Sequence, residues 1–489
     1  MDLAYLVYKN NKNIFKTIMA REHDELICKT ENVIVKKKFT MNYNCFSNSY
    51  VLYFSNMKIS MHIHNKNKLI LTSNENDEKE ILEFNNQVVI GGIENIVLLL
   101  SILVNKFKNK INKFSVYNIF SMQTSDVVVE NECKFKFNNI GVCKVIYVNM
   151  TFMGFNIVLN SDDEIIYAID PFNGYEIVNN KCSAKRIKKA IIGVFSKRED
   201  KIIEETLDFK DIMGSLTKPK DFSSEKTYTG VLILSGSGSL DRDGNSGDLI
   251  WNNMKDIAWF LSEKGLITYR YDDKICSNIG ISDLYNDAEI AYKMLKGLDF
   301  LKDIFIVAHS QGCLLASMLA KKFSEISEII LMAPQGKETE EFLMEQYRTF
   351  SLHKDKTEFE IKEFYYMLRN NNIYNTKNKY YIKYKNNLKR YQELINLEVC
   401  NLYRSVKCSV LLLHGEDDYQ ITLDHTLNLE KIIKENGVNV KRKTYENLDH
   451  FFMKSSLKYY GDYGNYSRVI SKGVLYDILN DINMHEGGR

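Results

Sequence analysis

Two rhythms of hydrophobic and polar positions divide the chain. Over roughly the first 200 residues, apolar and polar side chains alternate in short runs: VIVKKKF (33–39), SYVLYF (49–54), KISMHIH (58–64), CKVIYVNM (143–150) and EIIYAI (164–169), bounded by Asn, Asp and Ser. A strand turns successive side chains to opposite faces, so this period of two predicts antiparallel β-structure. One stretch, 93–107, breaks the alternation. Its apolar run from Ile96 to Val104 is about half of the ~20 residues needed to cross a bilayer, and it predicts a buried helix instead.

After Thr227 the apolar residues stop alternating. GVLILS (230–235), GLITYRY (265–271), IFIVA (304–308), EIILMA (328–333) and SVLLLHG (409–415) are continuous runs separated by helical stretches. Strands buried on both faces read this way, which predicts a mostly parallel sheet flanked by helices. Between two of these runs, at about 336–403, lies a charged, Tyr-rich segment of helical pattern (EEFLMEQYRTF, KEFYYMLRNN), expected to cap the carboxyl ends of the strands. The polar segment 201–226, including SLTKPKDFSSEK, reads as a linker. The predicted organisation is a smaller β-rich (α+β) domain at 1–200 with no assigned role, the linker, and an α/β domain at 227–489 with a helical cap.

Composition narrows the partners. Of 489 residues, 45% are apolar and 26% charged, as in soluble globular proteins. Lys+Arg 65 against Asp+Glu 63 leaves +2, so no global field recruits nucleic acid or an acidic membrane. The basic clusters at 36–38 and 185–189 read as solvated faces. Nine scattered cysteines (28, 45, 133, 143, 182, 276, 313, 400, 408) without a C-x-x-C pair suit reduced thiols, and MDLAYLVYKNNKN lacks the pattern of a secretory leader; the expected location is the cytoplasm, with no integral membrane segment. No phosphate-binding G-x-x-x-x-G-K-S/T loop is present, and GSGSLDRDG lacks the strand-helix setting of a dinucleotide site.

The candidate chemistry starts at VAHSQGC (307–313). Ser310 follows a buried strand and precedes the helix-forming GCLLASMLAKKF, with Ala308 and Gly312 two residues to either side. A sharp strand-serine-helix turn needs small residues there and exposes the serine at a helix N-terminus. Downstream, LLLHGEDDYQIT (411–422) ends a buried strand in acidic residues, and ENLDHFF (446–452) places His450 in the loop after VNVKRKTY (438–445). Serine, acid and histidine in this order can form a nucleophilic triad.

Together with LSGSGSLDRDGN (234–245) and YRYDDK (269–274), the stretches AHSQG, LHGEDDYQI and LDHFF resemble, in order, an esterase-like branch of the α/β-hydrolase superfamily; the resemblance covers roughly 227–485. It implies Ser310 as nucleophile, Asp418 as acid and His450 as base, with oxyanion donors from the backbone N–H of Gln311 and of Ser237 in the Gly236-Ser237-Gly238 turn. The acid stays open among Glu416, Asp417 and Asp418; Asp418 is favoured because the family pattern sets the acid three residues after Gly415. The sequence departs from the pattern at Ala308, which replaces glycine, and at DKICSN (273–278), where an Arg-Gly pair is usual. The implied reaction is hydrolysis of a small or medium acyl ester through an acyl-enzyme, without metal or organic cofactor. Thioester hydrolysis, acyl transfer and peptide hydrolysis use the same triad, and a non-catalytic ligand-binding fold is a further alternative; the β-rich domain could also bind lipid or peptide and deliver substrate. The oligomeric state is left open.

Other conspicuous residues have plainer readings. Asp241, Arg242 and Asp243 are expected to brace a loop, His309 to be a packing or surface residue rather than a base, and His414 to be structural. His62 and His64 share one strand face without a further metal-ligand pattern. Cys313 sits near the helix start, but the serine holds the turn.

Overall fold

The computed structural model describes the chain apart from residues 1–2, 11, 23–24, 33–37, 45–48, 55–56, 65–67, 74–78, 84–86, 91–95, 108–112, 119–122, 138–140, 151–152, 180–181, 196–200, 239, 275–277, 351–353, 457–459 and 488–489. It divides into two compact units. Residues 1–197 together with 456–467 form the first, and residues 198–455 with 468–489 the second.

The first unit contains a sheet of fifteen strands. The strand Leu3–Lys9 pairs with both Lys12–Glu22 and Tyr175–Asn179, joining two antiparallel meanders. At one edge, Gln87–Ile90 runs parallel to Lys113–Asn118. The alternating segments become the strands Ser49–Phe54, Met57–His64, Gly141–Met150 and Ile165–Asp170. For VIVKKKF the described strand starts at Lys38, and 33–37 fall outside the described residues, as do the side chains of His62 and His64. The apolar run forms the helix Ile96–Phe107, which is buried with Tyr5, Phe15, Phe114, Val148 and Phe155 in one core. An apolar stripe that nearly encircles a helix fits burial rather than a surface position.

In the second unit, elements are numbered from its own start. Its sheet has eight strands: β1 (Ile202–Phe209), β2 (Ile212–Pro219), β3 (Tyr228–Leu234), β4 (Ile267–Tyr271), β5 (Leu301–His309), β6 (Glu328–Met332), β7 (Ser409–Gly415) and β8 (Val440–Tyr445). They lie in the order β1-β2-β4-β3-β5-β6-β7-β8. β2 is antiparallel to β1 and β4, and the rest pair in parallel. Alternate residues feed opposite cores: Leu232, Ile306, Leu331 and Leu412 pack on one face, Val231, Phe305, Ile330 and Leu411 on the other. That two-sided burial is why these strands read as continuous apolar runs.

The reading of 201–226 as a linker is corrected: its first two-thirds form the β1–β2 hairpin. β1 is an edge strand with a mostly exposed, charged sequence, IIEETLDF. The hairpin turns at Lys210 and Asp211, both with positive φ (52° and 64°), a conformation usually marked by Asn-Gly or Asp-Gly. Positions 210 and 211 carry Lys-Asp and so neither signal. The hairpin is held instead by Arg270 of β4, 1% exposed, which donates to Thr217 Oγ1 of β2 at 2.9 Å and to Glu204 of β1 at 2.9 Å.

Helices α1 (Asn253–Glu263), α2 (Ile281–Lys296) and α3 (Gly312–Lys322) connect the central strands. Between β6 and β7, in the segment expected to be helical, lie α4 (Thr339–Phe350), α5 (Lys354–Arg369), α6 (Lys379–Tyr384), α7 (Leu388–Asn396) and α8 (Val399–Arg404). They carry a core of their own from Phe364, Tyr365, Met367 and Tyr380, with Tyr347, Tyr384 and Tyr391 at its margin. Tyrosine rings supply much of this small core and pack against Phe364 and one another. Helices α9 (Leu423–Glu435) and α10 (Lys472–Gly487) complete the unit.

Candidate active site

Ser310 occupies the single turn between β5 and α3 with a positive φ of 52°, a strained conformation for a residue with a side chain. Packing enforces it. The Ser310 N–H donates to Met332 O at 2.9 Å, and a side chain at Gly312 would meet Ser235 O at 2.5 Å, so strand and helix approach more closely than any other residue permits. A side chain at Gly236 would meet His309 Nδ1 at 3.1 Å and Ser310 Cβ at 3.2 Å. The glycine-rich turn therefore lies directly against the serine turn. Ser237, Ser310 and Gln311 line one cavity of about 330 Å³. Neither Ser237 nor Gln311 gives its N–H to a backbone acceptor among the described residues.

The loops after β7 and β8 are tied together. Glu416 and Asp417 donate their N–H groups to Tyr445 O and Leu448 O, each at 2.9 Å. Of the three acids, Asp418 is the one whose carboxylate reaches the histidine, with His450 Nδ1 2.7 Å from Asp418 Oδ2. Its other oxygen accepts the N–H groups of Gln420 and Ile421 at 2.8 and 2.9 Å. Burial acts to raise the Asp418 pKa, but the His450 charge and hydrogen bond, with the Ile421 N–H, turn the net shift downward. Glu416 is exposed. With Nδ1 directed at Asp418, the remaining His450 nitrogen is Nε2. Ser310 Oγ is not hydrogen-bonded to His450 in this arrangement; such contacts tighten when substrate binds.

The neighbouring candidates fall into supporting positions. His309 is 3% exposed, and its Nε2–H donates to the backbone oxygen of His450 at 2.8 Å, with the two rings 4.7 Å apart. It holds the His450 backbone in place, a role that adjacency to Ser310 did not reveal. His414 is fully buried and bonds Thr426 Oγ1 through Nδ1 at 2.8 Å. The Cys313 thiol donates to Ala308 O and Met332 O, and burial pushes its pKa well up, away from thiolate chemistry. Arg242 binds Asp272 through both its backbone N–H and its guanidinium (2.7 and 3.0 Å), and Asp243 accepts from Arg270. The D-R-D turn is thus a brace. Within DKICSN, residues 275–277 lie outside the described residues.

Two features were not read from the sequence. Asp449, next to His450, is buried and pairs with Arg468 at 2.6 Å, while its other oxygen accepts the N–H groups of Phe451 and Met453. Arg390 of α7 reaches from the inserted helices to the side-chain oxygen of Gln311. An arginine in a charged helical segment carries no local sign of which residue it will meet.

A mostly parallel sheet with an antiparallel second strand, a serine turn after β5, an acid after β7 and a histidine after β8 define an α/β-hydrolase domain. Residues 361–463 match the prolyl oligopeptidase family, a stretch that includes Asp418 and His450 and leaves out Ser310. The chain is 24% identical over 274 residues to esterase EstD of Thermotoga maritima, covering 53% of this chain and 63% of EstD; it thus spans less than two-thirds of that relative. Among solved structures, Est1E from Butyrivibrio proteoclasticus aligns over 58% of this chain and 99% of its own, at 16% identity and a TM-score of 0.40. An acylaminoacyl peptidase from Pyrococcus horikoshii aligns over 91% of this chain and 84% of its own, at 10% identity and a TM-score of 0.38.

Proposed function

We propose that the second unit is a serine hydrolase that cleaves a carboxylic ester of a small or medium acyl group. The observation that carries this reading is the 2.7 Å contact of His450 Nδ1 with the buried Asp418 carboxylate, formed on loops at the same end of the sheet as the strained Ser310 turn. Ser310 Oγ would attack the ester carbonyl while His450 Nε2 takes its proton. The tetrahedral oxyanion would sit between the N–H groups of Gln311 and Ser237. Collapse expels the alcohol, which receives the proton from His450. Water, activated by the same histidine, then releases the acid from Ser310. Asp418 fixes the imidazole tautomer and stabilises the imidazolium. The inserted helices serve as a cap over the cavity, and no metal or organic cofactor takes part. The prolyl oligopeptidase match favours peptide hydrolysis as a second reading, with the same residues in the same roles. For the seven free thiols among the described residues, a reducing compartment such as the cytoplasm is the proposed location.

Labelling with a fluorophosphonate tests the nucleophile, and p-nitrophenyl esters of increasing chain length, run beside peptide and thioester substrates, test the leaving group. Wild-type protein should label at Ser310 and turn over esters. Ser310→Ala and His450→Ala should lose at least about a thousandfold in kcat with folding intact. Asp418→Asn should cost far more than Asp417→Asn. An unlabelled serine in folded protein would sink the reading, and the reverse order of the two aspartates would reassign the acid.

A further inference from the structure

The cavity beside Ser310 has one charged residue in its wall. Among the described lining residues, Ser237, Gln335, Thr339, Gln346 and Gln420 are polar but neutral, none is acidic, and Arg390 alone is a cation. Its guanidinium donates to Gln311 Oε1, a neutral acceptor on the residue that follows the serine. Among the described residues, no carboxylate stands within ion-pair distance of it. Asp273 feels its charge, and burial works against that charge.

The other arginines of this unit that are wholly or partly buried meet carboxylates: Arg242 with Asp272, Arg270 with Glu204 and Asp243, Arg442 with Glu430, and Arg468 with Asp449. Lys389, the residue before Arg390, is paired with Asp283 at 2.6 Å. A guanidinium offers five N–H donors in a planar fork and binds best to two oxygens in one plane. Arg390 uses that fork on a single amide oxygen and keeps the rest beside the nucleophile.

We infer that the substrate of this cavity carries a carboxylate, on the acyl or the alcohol side of its ester, that Arg390 binds in a forked ion pair. The inference rests on the serine hydrolase reading and narrows its substrate class to short half-esters of diacids and their like. A cavity of about 330 Å³ suits a molecule of that size. Binding at Arg390 would hold the ester carbonyl beside Ser310, as charged clamps do when they convert binding into orientation.

The test uses the full chain with Ser310→Ala, which keeps the cavity and stops turnover. Monomethyl adipate and the uncharged dimethyl adipate are titrated into it calorimetrically. The half-ester should bind at least ten times more tightly. Adding Arg390→Gln should abolish the difference, and Arg390→Lys, which keeps the charge and loses the fork, should retain part of it. Equal affinities, absence of binding by both compounds, or a preference that survives Arg390→Gln would overturn the inference. Fluorophosphonate labelling of wild-type Ser310 separates the two levels. A labelled serine without half-ester preference leaves the hydrolase and removes the carboxylate site, whereas a preference in a protein that does not label keeps the anion site and removes the hydrolase.

Discussion

His309 shows how much a single residue adds once its neighbours are known. The sequence places a histidine beside Ser310; the fold buries it and uses its Nε2–H to hold the backbone of His450. Burial, with a lesser contribution from the His450 charge, pushes its pKa down to about 3. Because the folded value lies below the unfolded one, near 6.5, the unfolded chain binds the extra proton first as the pH falls. The neutral ring's contribution is therefore complete above about pH 6.5 and erodes below it. His309→Gln keeps an N–H donor at the same reach and removes the titration. Between pH 7.5 and pH 5, the urea-derived stability of wild type relative to this variant should fall by about 2 kcal/mol. A pH-independent difference would mean that His309 is not buried as a neutral ring. Ser310, Asp418 and His450 were legible because each follows a recognisable strand. Arg390 was not, because its role depends on a contact 79 positions away.

At the level of elements, the strands buried on both faces were legible and the hairpin at 202–219 was not. An edge strand presents its charges to water, and the Lys210-Asp211 turn adopts a conformation that its residue types do not advertise. The loop that carries His450 poses the same difficulty, since the buried Asp449–Arg468 pair that helps to hold it joins residues 19 positions apart. Breaking such a pair strands a charge in the interior, while removing both partners together relieves much of the cost. Asp449→Asn should lower stability by roughly 3 kcal/mol, and adding Arg468→Met should restore part of it. Urea denaturation of the two single variants and the double variant gives the coupling directly. Additive losses would show that the pair does not act as a unit.

At the scale of the whole molecule, the chain order conceals how the units are assembled. A fragment beginning at Thr227 would lose β1 and β2, and with them one of the two partners of β4. It would also detach residues 456–467 from the unit to which they belong. Within that first unit, Asn149 Nδ2 donates to Asp462 at 2.6 Å. Asn156 donates to Gly464 O at 2.7 Å and accepts the Tyr466 N–H at 3.2 Å. No local pattern could announce bonds that span more than 300 positions. A substrate-delivery role for the first unit is therefore better probed in the full chain than by truncation, and Asn156 is the place to start. Asn156→Ala removes the buried donor to Gly464 O and the buried acceptor of the Tyr466 N–H, which should weaken the first unit by roughly 2 to 4 kcal/mol. Hydrogen exchange should then quicken at residues 462–466 and along Met153–Leu159. If the first unit matters to catalysis through its fold, ester turnover should fall in step with that loosening. Unchanged turnover with faster exchange would show that the hydrolase unit works without it, and unchanged exchange would show that these bonds do not hold the segment.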